Sequence, residues 1–176
     1  MALKPTIHKF SISLSDLDRD VYDSLNLTVA QHPSESAERM LVRVMAFCLN
    51  AQEGLGFTRG LSDTEEPDIW LKSLDNQIEL WIEVGEPGID RLKKATRQSQ
   101  RTLVYAFNSK SSTWWNQLNL QRSGLVVEVF AFNTEEVSVL SQLLTRTMKM
   151  SVTITGQSAY VATDQGECEV SWQQLN

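Results

Sequence analysis

Residues 66–95, EPDIWLKSLDNQIELWIEVGEPGIDRLKKA, decide the fold of this chain, because they predict a β-hairpin followed by a basic helix. Apolar and polar residues alternate in both strands, over 69–71 and 78–84. Successive side chains of a strand point to opposite faces. Both apolar sets therefore face one core only if the two strands pair in one particular register.

That register places the carboxylates of Asp68 and Glu83 directly opposite each other, roughly 5 Å apart. It also places Lys72 opposite Glu79, which is an attractive pair. Opposed carboxylates repel each other, so a positive group is expected between Asp68 and Glu83. The hairpin thus predicts an acidic site that requires a cation.

Two tryptophan pairs have more than one interpretation. The hairpin register pairs Trp70 with Trp81 on the carboxylate face. Packing in the core is favoured over stacking on a nucleic-acid base, because tryptophan is large and suited to burial. Trp114 and Trp115 begin a later helix. Docking of that helix onto the sheet is favoured over an exposed contact surface.

Composition indicates a globular protein of ordinary type. The 176 residues predict one domain, and 41% hydrophobic and 22% charged residues are typical of soluble domains. The sequence has no apolar run of about 18 residues, so no membrane span is expected. Composition does not determine the oligomeric state, and a monomer is the simpler expectation.

The N-terminus and the cysteines predict a cytoplasmic protein. The opening residues, MALKPTIHKFSISL, alternate as a strand does and lack the long apolar centre of a signal peptide. Two cysteines, Cys48 and Cys168, are expected to be free thiols. The histidines, His8 and His32, are too far apart in sequence to suggest a zinc site.

The element order is β-β-α-β-β-β-α-β-α-β-α followed by short strands, which predicts a mixed α/β sheet. Strands are predicted at 4–14, 22–31, 102–107 and 125–132 and in the tail between 150 and 172, and helices at 34–50, 89–100, 113–120 and 134–146. Ser34 is the predicted N-cap of the first helix.

Glu38 lies within an apolar stripe of the first predicted helix, whereas Arg39, Arg43 and Asn50 fall on the side predicted to be solvated. A buried carboxylate requires a cation or hydrogen-bond donors. A salt bridge or fraying into water is one interpretation. The other is a metal ligand that points toward Asp68 and Glu83.

Three convergent carboxylates suit Mg²⁺ or Mn²⁺, which could activate water for phosphodiester hydrolysis. A nearby cation would stabilise the developing charge. The helix after the hairpin is basic, with Arg91, Lys93, Lys94, Arg97 and, just beyond it, Arg101. A solvated surface is the simpler interpretation of such a helix. The net charge of −6 means that nucleic acid could bind only at a local basic patch such as this one.

The chain resembles the PD-(D/E)XK nuclease superfamily, with a strand that begins Pro67-Asp68, a strand that carries Glu83, and a preceding helix that carries a glutamate. More closely, it resembles the YaeQ proteins of bacteria. The matching segments are HPSESAERMLVRVMAF at 32–47, EPDIWLKSLDNQIELWIEVGEP at 66–87, RLKKA at 91–95 and VYAF at 104–107.

The resemblance implies a single domain over 1–176, with a restriction-endonuclease-like core at about 34–132 and added strands at both ends. It assigns Glu38, Asp68 and Glu83 as ligands of Mg²⁺ or Mn²⁺. The motif lysine should stand two residues after Glu83, where this chain has Gly85. The resemblance favours Lys94 as its replacement.

The position of Lys93 and Arg91 on the helix keeps both as alternatives to Lys94 for the motif cation. Two functions follow from the resemblance. The first is a Mg²⁺-dependent phosphodiester hydrolase that acts on DNA or RNA. The second is a catalytically inactive module on the same fold that binds nucleic acid or protein, and it is motivated by Gly85 in the lysine position.

Overall fold

The computed structural model describes residues 4–59, 61, 63–119 and 123–176, and its central element is a ten-stranded sheet. The strands and helices with defined bounds are, in chain order, β1 Thr6–Asp16, β2 Val21–Gln31, α1 Ala37–Leu49, β3 Leu55–Phe57, β4 Ile69–Lys72, β5 Ile78–Val84, α2 Ile89–Gln98, β6 Ser99–Ala106, α3 Ser111–Leu118, β7 Glu128–Phe132, α4 Thr134–Ser141, β8 Thr147–Thr155, β9 Ser158–Thr163 and β10 Gly166–Gln174.

The strands lie in the order β2-β1-β8-β9-β10-β7-β6-β5-β4-β3. The β1/β8, β5/β6 and β6/β7 pairs are parallel, and the other neighbours are antiparallel. Strand β10 joins the two halves, because it pairs with β9 up to Ser171 and with β7 from Trp172 onward. The predicted mixed α/β class is confirmed. The sheet is mostly antiparallel and is flanked by helices. The restriction-endonuclease-like arrangement stays a prediction.

The hairpin register is confirmed at its centre, where Trp70 pairs with Trp81. The predicted pair of Lys72 with Glu79 is wrong, because the register shifts immediately before Lys72 and sets it opposite Ile78. A bulge of this kind places an extra residue on one strand and re-aims the side chains beyond it. The Lys72 ammonium instead lies 3.9 Å from the ring centre of Trp70, a cation–π contact.

The two faces of β5 belong to different layers. Its apolar residues at alternate positions from Leu80 to Val84 pack in the main core, together with α1. Trp81 and Glu83 point to the opposite face, where Arg91 of α2 contacts Glu83. The alternation of side chains along the strand therefore separates the acidic site from the layer of α1.

Helix α1 departs from the prediction in its start and in its polar side. Ser36, not Ser34, is the N-cap, and its hydroxyl accepts a hydrogen bond from the Arg39 amide. Arg43 and Asn50 are buried rather than solvated, with 3% and 9% exposure. The periodicity of apolar residues predicted a solvated side that does not exist, because α1 is enclosed on nearly all sides. Even its polar residues therefore need partners inside the protein.

A second core layer covers the other face of the sheet. Leu92 of α2 and Val104 of β6 lie at its centre, and Trp114 and Trp115 pack against them. The indole N–H of Trp114 donates to the carbonyl of Pro87 at 2.9 Å. The prediction that α3 docks onto the sheet is confirmed.

Among the residues that the structure describes, no helix is both long enough and apolar enough to cross a membrane.

Candidate functional site

A cleft of about 450 Å³ opens at the carboxyl ends of β5 and β6, beside the N-terminus of α2. This edge of parallel strands is a common place for ligand sites in α/β proteins. Leu61, Pro87 and Phe107 form apolar parts of its wall. The charged residues that line the cleft are Arg39, Asp63, Asp68, Glu83, Glu86 and Arg91.

Asp68 is 3% exposed, and both of its carboxylate oxygens are engaged. Its Oδ1 accepts a hydrogen bond from the Arg39 guanidinium at 2.8 Å, and its Oδ2 accepts one from the Val84 amide at 2.8 Å. Asp68 directly precedes β4, and its own amide donates to the Ile82 carbonyl at 3.1 Å. The hairpin backbone thus fixes this carboxylate at the bottom of the cleft.

Glu83 is 4% exposed and is held through one oxygen. Its Oε1 accepts hydrogen bonds from the indole N–H of Trp81 and from Nε of Arg91, both at 2.8 Å. Within the described chain no hydrogen bond reaches Oε2, and this atom is not among the buried unpaired ones. The second oxygen of Glu83 is therefore available to a ligand in the cleft.

Burial, with a smaller contribution from the negative charge of Asp68, raises the pKa of Glu83 from its ordinary value of 4.5 to about 7, against the opposing effect of Arg91 and of the hydrogen bond from Trp81. The predicted proximity of the two carboxylates is confirmed, because both line one cleft and interact electrostatically. A glutamate with a pKa near neutrality is a recognised mark of functional sites.

The positive groups expected beside the acidic pair are arginines. Arg91 donates to Glu83 and also to the carbonyls of Thr64 and Glu66, at 2.7 and 2.8 Å. Arg39 reaches Asp68 from α1 around the ends of the strands and also donates to the Val84 carbonyl at 3.1 Å. Each acid of the pair therefore has its own guanidinium.

Behind Arg39 the network continues into the core. The buried Glu35 carboxylate accepts bonds from Arg39 at 2.7 Å and from Arg43 at 2.6 and 2.8 Å. The prediction missed this network, although Glu35, Arg39 and Arg43 recur at intervals of four residues, with one acidic residue followed by two basic ones. That spacing aligns side chains along one side of a helix and could have revealed the network.

Glu38 does not line the cleft. Its carboxylate accepts a bond from the Ser141 hydroxyl of α4 at 3.4 Å. The expectation that Glu38 points toward Asp68 and Glu83 is wrong. Helix α1 and the acidic pair lie on opposite faces of the sheet. Arg39, the next residue, takes the position beside Asp68.

Of the three candidates for the motif cation, Arg91 is the one that lines the cleft. Lys94, which the resemblance favoured, forms a salt bridge with Glu65 instead. Lys93 is exposed on the surface of α2. The position on the helix, rather than the resemblance, thus indicated the cation that contacts Glu83.

The residues as arranged do not fit a Mg²⁺ ion. The described ranges contain no group of three or more His, Cys, Asp or Glu side chains that could hold a metal. Mg²⁺ requires near-octahedral oxygen ligands at about 2.0–2.1 Å, whereas Asp68 is occupied by Arg39 and the Val84 amide. Mg²⁺ dependence stays a prediction from the resemblance.

Gly85 occupies the motif-lysine position for a backbone reason. Its φ is +111°, which residues with a side chain rarely adopt, and no atom lies within 4 Å of an added Cβ. We therefore expect Gly85→Ala and Gly85→Lys to lower the free energy of unfolding by similar amounts, about 1–3 kcal/mol. Urea denaturation measures both.

Gly56→Ala is the matched control, because Gly56 also has open space around an added Cβ but no positive φ. This control should change stability little. A lysine variant much less stable than the alanine variant would contradict the backbone explanation, since it would show that the length of the side chain matters.

Comparison with known proteins identifies the family and agrees with the fold. The family model described as "YaeQ protein" matches residues 1–172, and the chain belongs to the YaeQ family. It is 37% identical over 179 aligned residues to "Uncharacterized protein YaeQ" of Escherichia coli K12, with 99% of each chain covered. The Salmonella typhi protein of that name shows the same identity and coverage.

Two solved structures share the fold. The YaeQ protein from Pseudomonas syringae is 40% identical with a TM-score of 0.92, and the match covers 98% of this chain and 96% of that one. The YaeQ protein from Xanthomonas axonopodis pv. citri is 32% identical, also with a TM-score of 0.92, and 98% of each chain is covered. The nuclease-superfamily resemblance stays a prediction.

Proposed function

We propose that the cleft binds a positively charged side chain of a partner polypeptide, on a fold that retains the acidic pair without hydrolytic turnover. One observation carries the proposal. The two arginines of the cleft, Arg39 and Arg91, are already paired with Asp68 and Glu83, whereas Glu86 has no ion pair among the described residues. The acceptors left for a ligand are anionic.

The balance of charge in the cleft supports a cationic ligand. Four carboxyl groups line it against two guanidiniums, so the cleft stays negative even when Glu83 is protonated. Glu83 Oε2 is open, and Glu86 is half-buried with only a 3.2 Å bond from the Ser111 hydroxyl. Partly desolvated carboxylates bind an ammonium or guanidinium group through strong charge-assisted hydrogen bonds. The apolar wall at Phe107 suits the methylene groups of a lysine or arginine.

The charge distribution of the protein disfavours binding of nucleic acid. In the basic segment after the hairpin, Arg91, Lys94 and Arg101 are paired with Glu83, Glu65 and Glu128. The surface that was expected to attract phosphates is therefore largely neutralised within the protein. With a net charge of −6, long-range attraction to a polyanion is absent as well.

Calorimetric titration with a short acetylated and amidated peptide of alternating leucine and lysine tests the proposal. We expect saturable binding that Glu86→Gln weakens by about tenfold, because one charge-assisted hydrogen bond is lost. Glu169→Gln, which removes the same charge from an exposed site on β10, should leave binding unchanged. The matched leucine–glutamate peptide should not bind.

Equal affinity for the lysine and glutamate peptides, or an equal effect of Glu169→Gln, would overturn the assignment. Binding of a DNA or RNA oligonucleotide in preference to the lysine peptide would do the same.

The Mg²⁺-dependent phosphodiesterase that the resemblance implies is the second candidate. Asp68, Glu83 and Arg91 line one cleft, but Arg39 would have to release Asp68 before a metal ion could bind there. Incubation of plasmid and short RNA with Mg²⁺ or Mn²⁺ tests it, with Asp68→Asn as the comparison. Cleavage by the wild type that Asp68→Asn abolishes would replace the first proposal. Equal signals from both proteins would assign any cleavage to contamination.

A further inference from the structure

The outer edge of β2 is long, regular and unpaired. All eleven residues of the strand pair with β1, from Gln31 opposite Thr6 to Val21 opposite Asp16, without a bulge. Strand β2 is the last in the sheet order, and no strand of the described chain pairs with its other side. Such an edge offers a row of free backbone groups to another strand.

The pairing of β1 determines which groups of β2 point outward. The Lys9 amide donates to the Arg146 carbonyl on the β8 side of β1. The odd residues of β1 therefore bond toward β8 and its even residues toward β2. Through the observed register, the odd residues of β2 bond to β1. The outward backbone groups belong to Tyr22, Ser24, Asn26, Thr28 and Ala30.

This edge carries few of the features that protect sheet edges. Strand β2 contains no proline, lysine or arginine, and Asp23 is its one charged residue. Two outward groups are satisfied within the protein. The Ser24 amide donates to Asp23 Oδ1 at 2.8 Å, and the Ala30 carbonyl accepts from Arg43 at 2.9 Å. Among the described residues, the backbone groups of Asn26, at the centre, have no such partner.

We propose that this edge is a dimer interface, in which β2 pairs antiparallel with β2 of a second copy about a two-fold axis at Asn26. Residue 26 is the midpoint of the strand, so this register overlaps its full length. It sets Ser24 opposite Thr28 of the second copy and Tyr22 opposite Ala30. Each of these pairs joins outward-facing groups, as a hydrogen-bonded antiparallel ladder requires.

The side chains of the edge are self-complementary in this register. Leu25 and Leu27, which are half-buried on the core face, come to lie opposite each other across the axis, so their burial increases. Asp23 lies opposite Val29 of the second copy rather than opposite another Asp23, so like charges do not meet. A two-fold interface requires this match of a surface with itself.

Sedimentation velocity and light scattering over a range of concentrations test the proposal. The wild type should reach twice the monomer mass. Asn26→Lys should weaken the dimer by about tenfold or more, because like charges then face each other across the axis. Asn26→Pro should do the same. The amide of Asn26 points away from β1, so a proline at this position removes no hydrogen bond within the monomer.

Ser11→Lys is the matched control, because Ser11 is exposed on the same face but one strand further in, opposite Asn26. It should leave the dimer intact. Amide exchange of Thr28 should slow with rising wild-type concentration. A monomeric wild type, or a dimer that Asn26→Lys leaves unchanged, overturns the proposal. If Asn26→Pro does not fold, Asn26→Lys still tests the proposal. Circular dichroism then shows whether the lysine variant remains folded while it loses the dimer.

Discussion

Replacement of Arg43 by methionine should lower the free energy of unfolding by about 3–5 kcal/mol, because it leaves a buried carboxylate short of its main partner. Arg43 is 3% exposed and donates two hydrogen bonds to Glu35, at 2.6 and 2.8 Å, and one to the Ala30 carbonyl. Glu35 is 5% exposed, so water cannot replace these bonds. Urea denaturation measures the loss.

Two comparisons separate the effect of losing the ion pair on stability from the effect of replacing an arginine side chain by methionine. Arg97→Met makes the same change at an exposed position of α2 and should alter stability by less than about 0.5 kcal/mol. The double variant Glu35→Gln/Arg43→Met should be more stable than Arg43→Met alone, since it no longer buries an unpaired charge. A loss below about 1 kcal/mol for Arg43→Met would show that Arg39 alone satisfies Glu35.

Glu83 should make the protein less stable as the pH rises from about 4.5 to about 7. Its pKa is about 7 in the folded protein and has its ordinary value of 4.5 in the unfolded chain. Between these values the folded state holds more protons, so the free energy of unfolding falls with pH. The full contribution is on the order of 3 kcal/mol, present below the unfolded pKa and lost above the folded pKa.

Glu83→Gln should remove this dependence, because glutamine has no charge to bury. Denaturation of both proteins at several pH values between 4 and 8 gives the difference in slope. Relative to the wild type, the variant should gain stability as the pH rises. Parallel curves would show that Arg91 and Trp81 compensate for the burial of the charge.

The hairpin could be read from the sequence because its information is local. Alternation of apolar residues fixes which face of each strand is buried, and the Trp70–Trp81 register followed from that requirement. The approach of Asp68 to Glu83 followed from the same register. The bulge before Lys72 could not be foreseen, since a one-residue insertion leaves the alternation on either side intact.

The helix before the hairpin was harder to predict. An apolar stripe identifies the buried side of a helix only when the other side meets water. Here α1 is enclosed, so the polar residues on its supposed outer side, Arg39 and Arg43, carry the buried ion pairs. Glu38 was assigned to the site because it stood among apolar residues, yet its partner is Ser141.

The sequence by itself determined the α/β class, the register at the centre of the hairpin and the acidic pair that this register creates, because these depend on side-chain alternation over neighbouring residues. Tertiary structure decided which cations meet that pair. Arg91 approaches Glu83 from α2 on one face, and Arg39 reaches Asp68 around the strand ends from α1 on the other. Such contacts join residues far apart in the chain, and they depend on how the helices pack across the sheet rather than on any local pattern.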